Sequence, residues 1–281
     1  MAHPSVTLLR RSRPPDPRDG ATQRVAPPDG GFAWISFSAH RLADGETIAR
    51  PGDDHEVGIV IAEGSASVTA GADRFPGLGS RAGIFDGPPP PVVLVAPGQA
   101  LEVRAEGPAT VLVASAPLAG ATPVPTRAID PATMRVEERG SGQTARRVHH
   151  LLPAEAPAAK LILVEVFTPG GNWSSYPPHK HDTQDPPREA LLEELYWYRF
   201  AKPAQAFAFA RVYTADRSLD EALTPMDDDL VLVPRGYHPV GMPAGYDGYY
   251  LNVMAGPGRD WRFTLDPDHA WLMDWSPTAP R

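Results

Sequence analysis

His179 and His181 stand two residues apart in Pro177-Pro178-His179-Lys180-His181-Asp182. Side chains alternate faces along an extended strand, so this spacing points both imidazoles the same way and makes a chelating pair. Thirteen residues after His181 comes Glu194, opening the run Glu194-Leu195-Tyr196-Trp197-Tyr198. As a strand, that run sets Glu194, Tyr196 and Tyr198 on one face and Leu195 and Trp197 on the other. A further histidine, His238, follows the turn Pro234-Arg235-Gly236-Tyr237 at the end of another apolar run. Three neutral imidazoles and one carboxylate suit a divalent metal, Zn²⁺ first and Mn²⁺ or Fe²⁺ after it, with positions left for substrate or water. Such a site is catalytic rather than structural.

Converging these groups requires a scaffold of strands, and the chain of 281 residues is written for one. Short β-branched runs bounded by Gly, Pro and Asp occupy residues 32–37, 56–62, 65–68, 92–95 and 110–113. After a stretch rich in Pro, Ala and Gly at 117–126 they resume at 160–167, 194–200, 206–213, 229–233 and 248–254. With 34 prolines and 25 glycines, the pattern predicts many short strands joined by turns. Residues 187–193 are the one helix candidate. Pro51-Gly52 and Pro169-Gly170 precede a strand in each half, which hints at duplication. The expectation is an all-β chain divided near residue 120.

The formal charge of −8 is spread along the chain without a clustered basic face, which argues against a nucleic-acid partner. There are no cysteines, so His and carboxylates are the only strong metal ligands. The first twenty residues lack the apolar core of a secretory signal, and no run reaches the ~18 apolar residues of a membrane span. A soluble cytoplasmic protein without a membrane partner is expected, and exposed barrel edges favour a homo-oligomer.

The His-x-His, Glu and Pro-x-Gly-x-His series resembles the two-part metal motif of cupins, small double-sheet barrels. In the commonest cupin form the Glu follows the second His by only a few residues. The insertion of residues 183–193 therefore leaves Glu193 and Asp182 as rivals to Glu194. Longer stretches narrow the resemblance: Asn172-Trp173-Ser174-Ser175-Tyr176-Pro177-Pro178-His179-Lys180-His181-Asp182, Leu192-Glu193-Glu194-Leu195-Tyr196-Trp197-Tyr198-Arg199, Gly236-Tyr237-His238-Pro239 and Tyr249-Tyr250-Leu251-Asn252-Val253-Met254-Ala255-Gly256. These look like the 5-deoxy-glucuronate isomerases of inositol catabolism, relatives of the 5-keto-4-deoxyuronate isomerases. The likeness is strong over residues 140–275 and weak before them. It implies a bicupin of two double-stranded β-helix (jelly-roll) barrels, residues 1–120 without a metal site and 121–281 with it. It also implies an aldose–ketose isomerase, an intramolecular oxidoreductase converting 5-deoxy-D-glucuronate to 2-deoxy-5-keto-D-gluconate.

A metal held by His179, His181, Glu194 and His238 would polarise the substrate oxygens. Glu193, Lys180 and Tyr250 are the candidate general bases by position. A uronic acid substrate calls for a cation, and Arg235, Arg146, Arg188 and Arg199 are the options. Two other readings stand beside the isomerase: a cupin dioxygenase using Fe(II) on the same ligands, and a non-catalytic sugar-binding cupin. Elsewhere plain structural roles are expected. His3, His40, His149, His150 and His269 read as surface or hydrogen-bonded histidines, and His55 as structural. Asp227-Asp228-Asp229 reads as a solvated turn, Glu137-Glu138-Arg139 as surface, and Tyr196, Trp197, Tyr198 and Tyr237 as barrel filling.

Overall fold

Runs such as Val92–Val95 and Gly248–Ala255 are buried at every position, whereas Leu101–Ala105 alternates buried and exposed. The difference reflects which strands are covered on both faces. In the computed structural model, which describes residues 7–202 and 205–274, the continuous runs lie in two large sheets. All strand pairs are antiparallel, and no α-helix occurs among the described residues.

The first large sheet has the order Arg127–Ile129, Val92–Val95, His55–Glu63, Ala109–Pro117, Ser36–Leu42, Ala21–Val25. A four-stranded sheet of Thr47–Arg50, Leu101–Ala105, Ala66–Ala70 and Asp73–Leu78 accompanies it. The second large sheet runs Leu9–Arg10, Leu230–Val233, Glu193–Phe200, Gly248–Ala255, Ile162–Thr168, Arg146–Leu152, Arg135–Arg139. Its companion holds Trp173–Ser174, Val240–Gly241, Phe209–Tyr213 and Asp220–Leu223, and a short pair joins His179–Lys180 to Thr264–Leu265. The two large sheets repeat one connectivity. Each also ends on a strand from the other part of the chain, Leu9–Arg10 beside Leu230–Val233 and Arg127–Ile129 beside Val92–Val95.

Three apolar clusters follow. Ile59, Val68, Val103 and Val111 belong to one within the first pair of sheets, and Val164, Tyr196, Val212 and Val231 to one within the second. The third lies where the large sheets face each other, joining Val60, Leu94 and Leu112 to Leu163, Leu195, Trp197 and Leu251.

Charges cross that seam in a fully paired arrangement. Arg81, with its side chain wholly out of water, forks onto Glu165 and gives a third bond, 2.7 Å, to the Ala62 carbonyl. Glu165 also accepts from Tyr249 (2.7 Å) and pairs with His149 (3.1 Å). Burial pushes the Glu165 carboxyl up, but Arg81 and these donors pull it below its ordinary value. Two further carboxylates act reciprocally. Glu56 accepts from the amides of Ala159, Lys160 and Leu161 at 2.6–2.9 Å, and Glu193 from those of Ala33, Trp34 and Ile35 at 2.6–3.3 Å. The two sit at matching places, Glu56 opposite Ala116 and Glu193 opposite Ala255.

Two expectations need correction. Residues 187–193 form no helix: Asp185 and Glu189 bridge across a tight turn, and extended structure resumes at Glu193. The buried Glu189 side chain draws this segment back on itself by accepting from the amides of Asp182 and Thr183. Asp227-Asp228-Asp229 is no solvated turn either. Asp228 and Asp229 are buried, Asp228 accepting from the Trp197 indole (2.6 Å) and Asp229 from Arg11 and the Ser12 amide, while Asp227 pairs with Arg199. No described helix is long and apolar enough to cross a membrane.

Breaking a buried pair by removing one partner strands the other charge, at about 3–5 kcal/mol. Arg81→Met is expected to lower unfolding stability by about 3 kcal/mol, read from the denaturant midpoint. Stability equal to the parent would mean that the pair is not what closes the seam.

Candidate metal centre and substrate cleft

Strand alternation sends the side chains of His179 and His181 one way and Lys180 the other. The Nζ of Lys180 lies 2.6 Å from Asp182 and 2.8 Å from Glu189. Asp182 also accepts from the Gly236 amide at 2.8 Å, tying the first histidine segment to the turn that delivers His238. That turn needs glycine: Gly236 has φ 94°, and a Cβ there would sit 2.5 Å from the Tyr213 carbonyl oxygen. Glu194 is aimed by its neighbour, because Glu193 is held by the three amides across the seam and the next side chain must face the opposite way, into the barrel.

The four groups come together. The ligating atoms of His179, His181 and His238 lie within 4.8 Å of one another. Glu194 Oε2 is 2.9 Å from His181 Nε2 and 3.0 Å from His238 Nε2. Each histidine turns Nδ1 to a backbone carbonyl, Pro177 for His179 (3.3 Å), Leu192 for His181 (2.8 Å) and Gly236 for His238 (2.8 Å). An Nδ1–H donated to these carbonyls would leave each Nε2 lone pair free for a metal, the arrangement that orients metal-binding imidazoles. His238 Nε2 is buried and, though close to Glu194, makes no aligned hydrogen bond among the described residues. A knot of inward-facing acceptors around one carboxylate fits a cation.

The electrostatics agree. Burial, with His238 and His181 beside it, drives His179 well below its ordinary value, keeping it neutral. Burial likewise opposes charge on His181, but the Glu194 carboxylate outweighs it and moves His181 up. Glu194 is itself held far down: burial pushes it up, and His238 and His181 more than reverse that.

This cluster borders a cleft of about 500 Å³ whose wall includes His179, Tyr176, Trp261, Phe263 and three arginines, Arg135, Arg139 and Arg146. A smaller recess of about 40 Å³ shares Arg139, Arg146, His179 and Trp261 with it and is completed by Glu194, Ser175, Tyr250, Asn252 and the valines 148, 164 and 166. Arg146 donates to the Thr144 carbonyl (2.7 Å), and no carboxylate forms an ion pair with it among the described residues. Burial pushes its guanidinium down, a direct sign of a cation short of partners. Tyr250 OH lies 3.3 Å from Ser175 Oγ, which is 2.9 Å from Tyr196 OH.

The remaining candidates fall elsewhere. Glu193 is engaged at the seam, and Lys180 and Asp182 belong to the knot around Glu189. Arg188 is exposed and paired with Asp185 at 2.9 Å, Arg235 is exposed, and Arg199 joins Glu63 and Asp227. Asp53, Asp54 and His55 cluster outside the barrel, His55 Nδ1 lying 3.3 and 3.1 Å from the two carboxylates. His40, His149 and His150 are buried and bonded, and His3 lies outside the described residues. Sequence reading missed Arg135, Arg139, Asn252 and Trp261. The available signal was the period-two series Arg135, Glu137, Arg139, which sets all three on one face of an edge strand. Glu137 is no idle surface acid: it bonds Arg135 (3.1 Å), Arg139 (2.9 Å) and His150 (2.9 Å) at the cleft mouth.

The chain matches the model of the KduI/IolB family over residues 8–272. It is 45% identical over 256 residues to a 5-deoxy-glucuronate isomerase of Geobacillus kaustophilus (strain HTA426), covering 91% of this chain and 92% of that one. It is 50% identical over 220 residues to one from Lacticaseibacillus casei, covering 78% and 80%. Among solved structures, an IolB-like protein from Salmonella typhimurium LT2 superposes with a TM-score of 0.90 at 42% identity, over 95% of this chain and 99% of the other. A Lactobacillus farciminis oxalate decarboxylase, 13% identical with a TM-score of 0.65 over 98% and 92%, shares the cupin fold.

Glu137 sits at about 2 against an ordinary 4.5, drawn down first by the Arg139 hydrogen bond, against partial burial, and then by His150. A depressed carboxyl contributes stability above its unfolded value and loses it as pH falls through the folded one. The melting-temperature gap between the parent and Glu137→Gln is therefore expected to narrow as pH drops from about 4.5 towards about 2. A gap independent of pH would contradict this linkage.

Proposed function

Since the chain belongs to the KduI/IolB family and is an isomerase, we propose that it converts 5-deoxy-D-glucuronate to 2-deoxy-5-keto-D-gluconate with a divalent metal held by His179, His181, Glu194 and His238. The observation that carries this is the convergence of three Nδ1-anchored imidazoles, two of them within 3.0 Å of the Glu194 carboxylate, at the edge of a cleft rimmed by arginines. We take the chain to divide near residue 120 into a first barrel to which no metal is assigned and a ligand-bearing second one, with Leu9–Arg10 and Arg127–Ile129 exchanged between their large sheets. Zinc heads the order of metals by ligand type, ahead of manganese and iron. The protein is further read as cytoplasmic and homo-oligomeric.

A metal bound there supplies a Lewis acid to the carbonyl and adjacent hydroxyl oxygens of the sugar. The side chains supply the rest. Arg146, with no acid of its own, takes the substrate carboxylate, and Arg139, steadied by Glu137, stands beside it in both cavities. Of the three candidates for proton transfer, Tyr250 is the one that lines the recess. Burial raises it above its ordinary value, so it stays protonated near neutral pH and offers its proton to a substrate oxygen, with Ser175 and Tyr196 behind it. Phe263 and Trp261 give the cleft an aromatic wall beside these polar groups.

A coupled assay with 5-deoxy-D-glucuronate tests the reading. Turnover should vanish on chelation, return with added metal and proceed without O₂. Retention of full activity after chelation sinks the metal site, and a requirement for O₂ sinks the isomerase in favour of a dioxygenase. Arg146→Met should raise KM roughly 10- to 100-fold, the effect of losing a charge-assisted pair of about 1.5–3 kcal/mol, and leave bound metal unchanged. A KM within twofold of the parent would send the carboxylate elsewhere.

A further inference from the structure

We infer that Asn252 and Trp261 form the hydroxyl-reading wall of the recess beside His179, a deepening that rests on the proposed isomerase. Asn252 lies in the strand Gly248–Ala255, across from Tyr196 on one side and Val164 on the other, and is 5% exposed. Its Oδ1 is buried without a hydrogen-bond partner among the described residues, and so is the indole Nε1 of Trp261. Buried polar atoms are paired in the great majority of cases. Here two residues carrying such atoms line the recess that also contains His179 and Glu194.

They are also of opposite kinds. Asn252 Oδ1 can only accept, and the Trp261 N–H can only donate. An alcohol can serve both kinds, accepting a hydrogen bond from the indole N–H and donating its own to the amide oxygen. Beside Asn252 on the same sheet stand Val164, Val166 and Val148, an apolar patch suited to the C–H side of a carbon. The recess, about 40 Å³, is small beside the cleft of about 500 Å³. It therefore takes one hydroxylated carbon rather than a whole sugar. With Arg146 bordering both cavities, the carboxylate end lies out in the cleft and a hydroxymethine at the reacting end enters the recess. The class of ligand is an α-hydroxy aldehyde at the end of an acid.

The decisive variant is Trp261→Phe, which keeps a ring and deletes the N–H, with Asn252→Leu as companion. With 5-deoxy-D-glucuronate and saturating metal, each should raise KM about five- to tenfold, the worth of one hydrogen bond. The melting temperature of the free enzyme should not fall, because the deleted atom has no partner there to lose. Should Asn252→Leu fail to fold, Trp261→Phe decides alone. An unchanged KM for Trp261→Phe overturns the inference, and so does a lowered melting temperature with KM intact, which would mark the N–H as a structural group bonded through water. Parent enzyme that turns over no 5-deoxy-D-glucuronate overturns the proposed function, and this inference with it.

Discussion

The seam between the two large sheets is the constraint on which the site depends. A carboxylate withdrawn from water must be met by several donors or it costs more than the fold can tolerate, and three carboxylates at this seam are so met. Glu165 has Arg81, Tyr249 and His149, while Glu56 and Glu193 each hold three backbone amides of the opposite half. Such bonds fix register, because a one-residue slip would bring the wrong side chain to the wrong face. Side chains of the second large sheet accordingly alternate between seam and site. Glu193 faces the seam and Glu194 the histidines; Tyr249 faces Glu165 and Tyr250 the recess; Glu165 lies between Val164 and Val166, which line that recess. The same bonds that join the halves thereby aim the chemistry.

This arrangement explains which parts were legible in the sequence. The all-β class and most strand positions could be read because full burial on both faces leaves continuous apolar runs, as at Val92–Val95 and Leu230–Val233. The metal-binding candidates were legible because two residues apart on a strand is a geometric statement, and a histidine after Pro-x-Gly is a turn statement. Glu194 lies beside His181 and His238, while the strand already begins at Glu193, which is turned the other way by three amides at Ala33–Ile35, some 160 positions away. No local pattern contains that information.

What escaped the sequence was long-range or irregular. The acidic run Asp227-Asp228-Asp229 has the composition of a solvated turn, yet it is enclosed by residues from the chain's beginning, Arg11 and Ser12, and by Trp197. Residues 187–193 have fair helical propensity, but Glu189 spends its carboxylate on Lys180, two amides and Thr264, which a helix would have carried away. Arg188 and Arg235 adjoin site segments in sequence, and their side chains face solvent. Arg139, read from the sequence as surface, pairs in register with the candidate Arg146, and only the sheet brings it to the cleft.

The exchanged end strands have a practical meaning. A barrel that supplies all its own edges can be excised, recombined or fused as a module. Here Leu9–Arg10 covers the outer edge of Leu230–Val233, and Arg127–Ile129 covers that of Val92–Val95. Cutting the chain between the halves would bare one fully apolar strand edge on each fragment, a template for indiscriminate pairing with other chains. The two halves repeat one connectivity while sharing their borders, and neither can leave the other without becoming sticky.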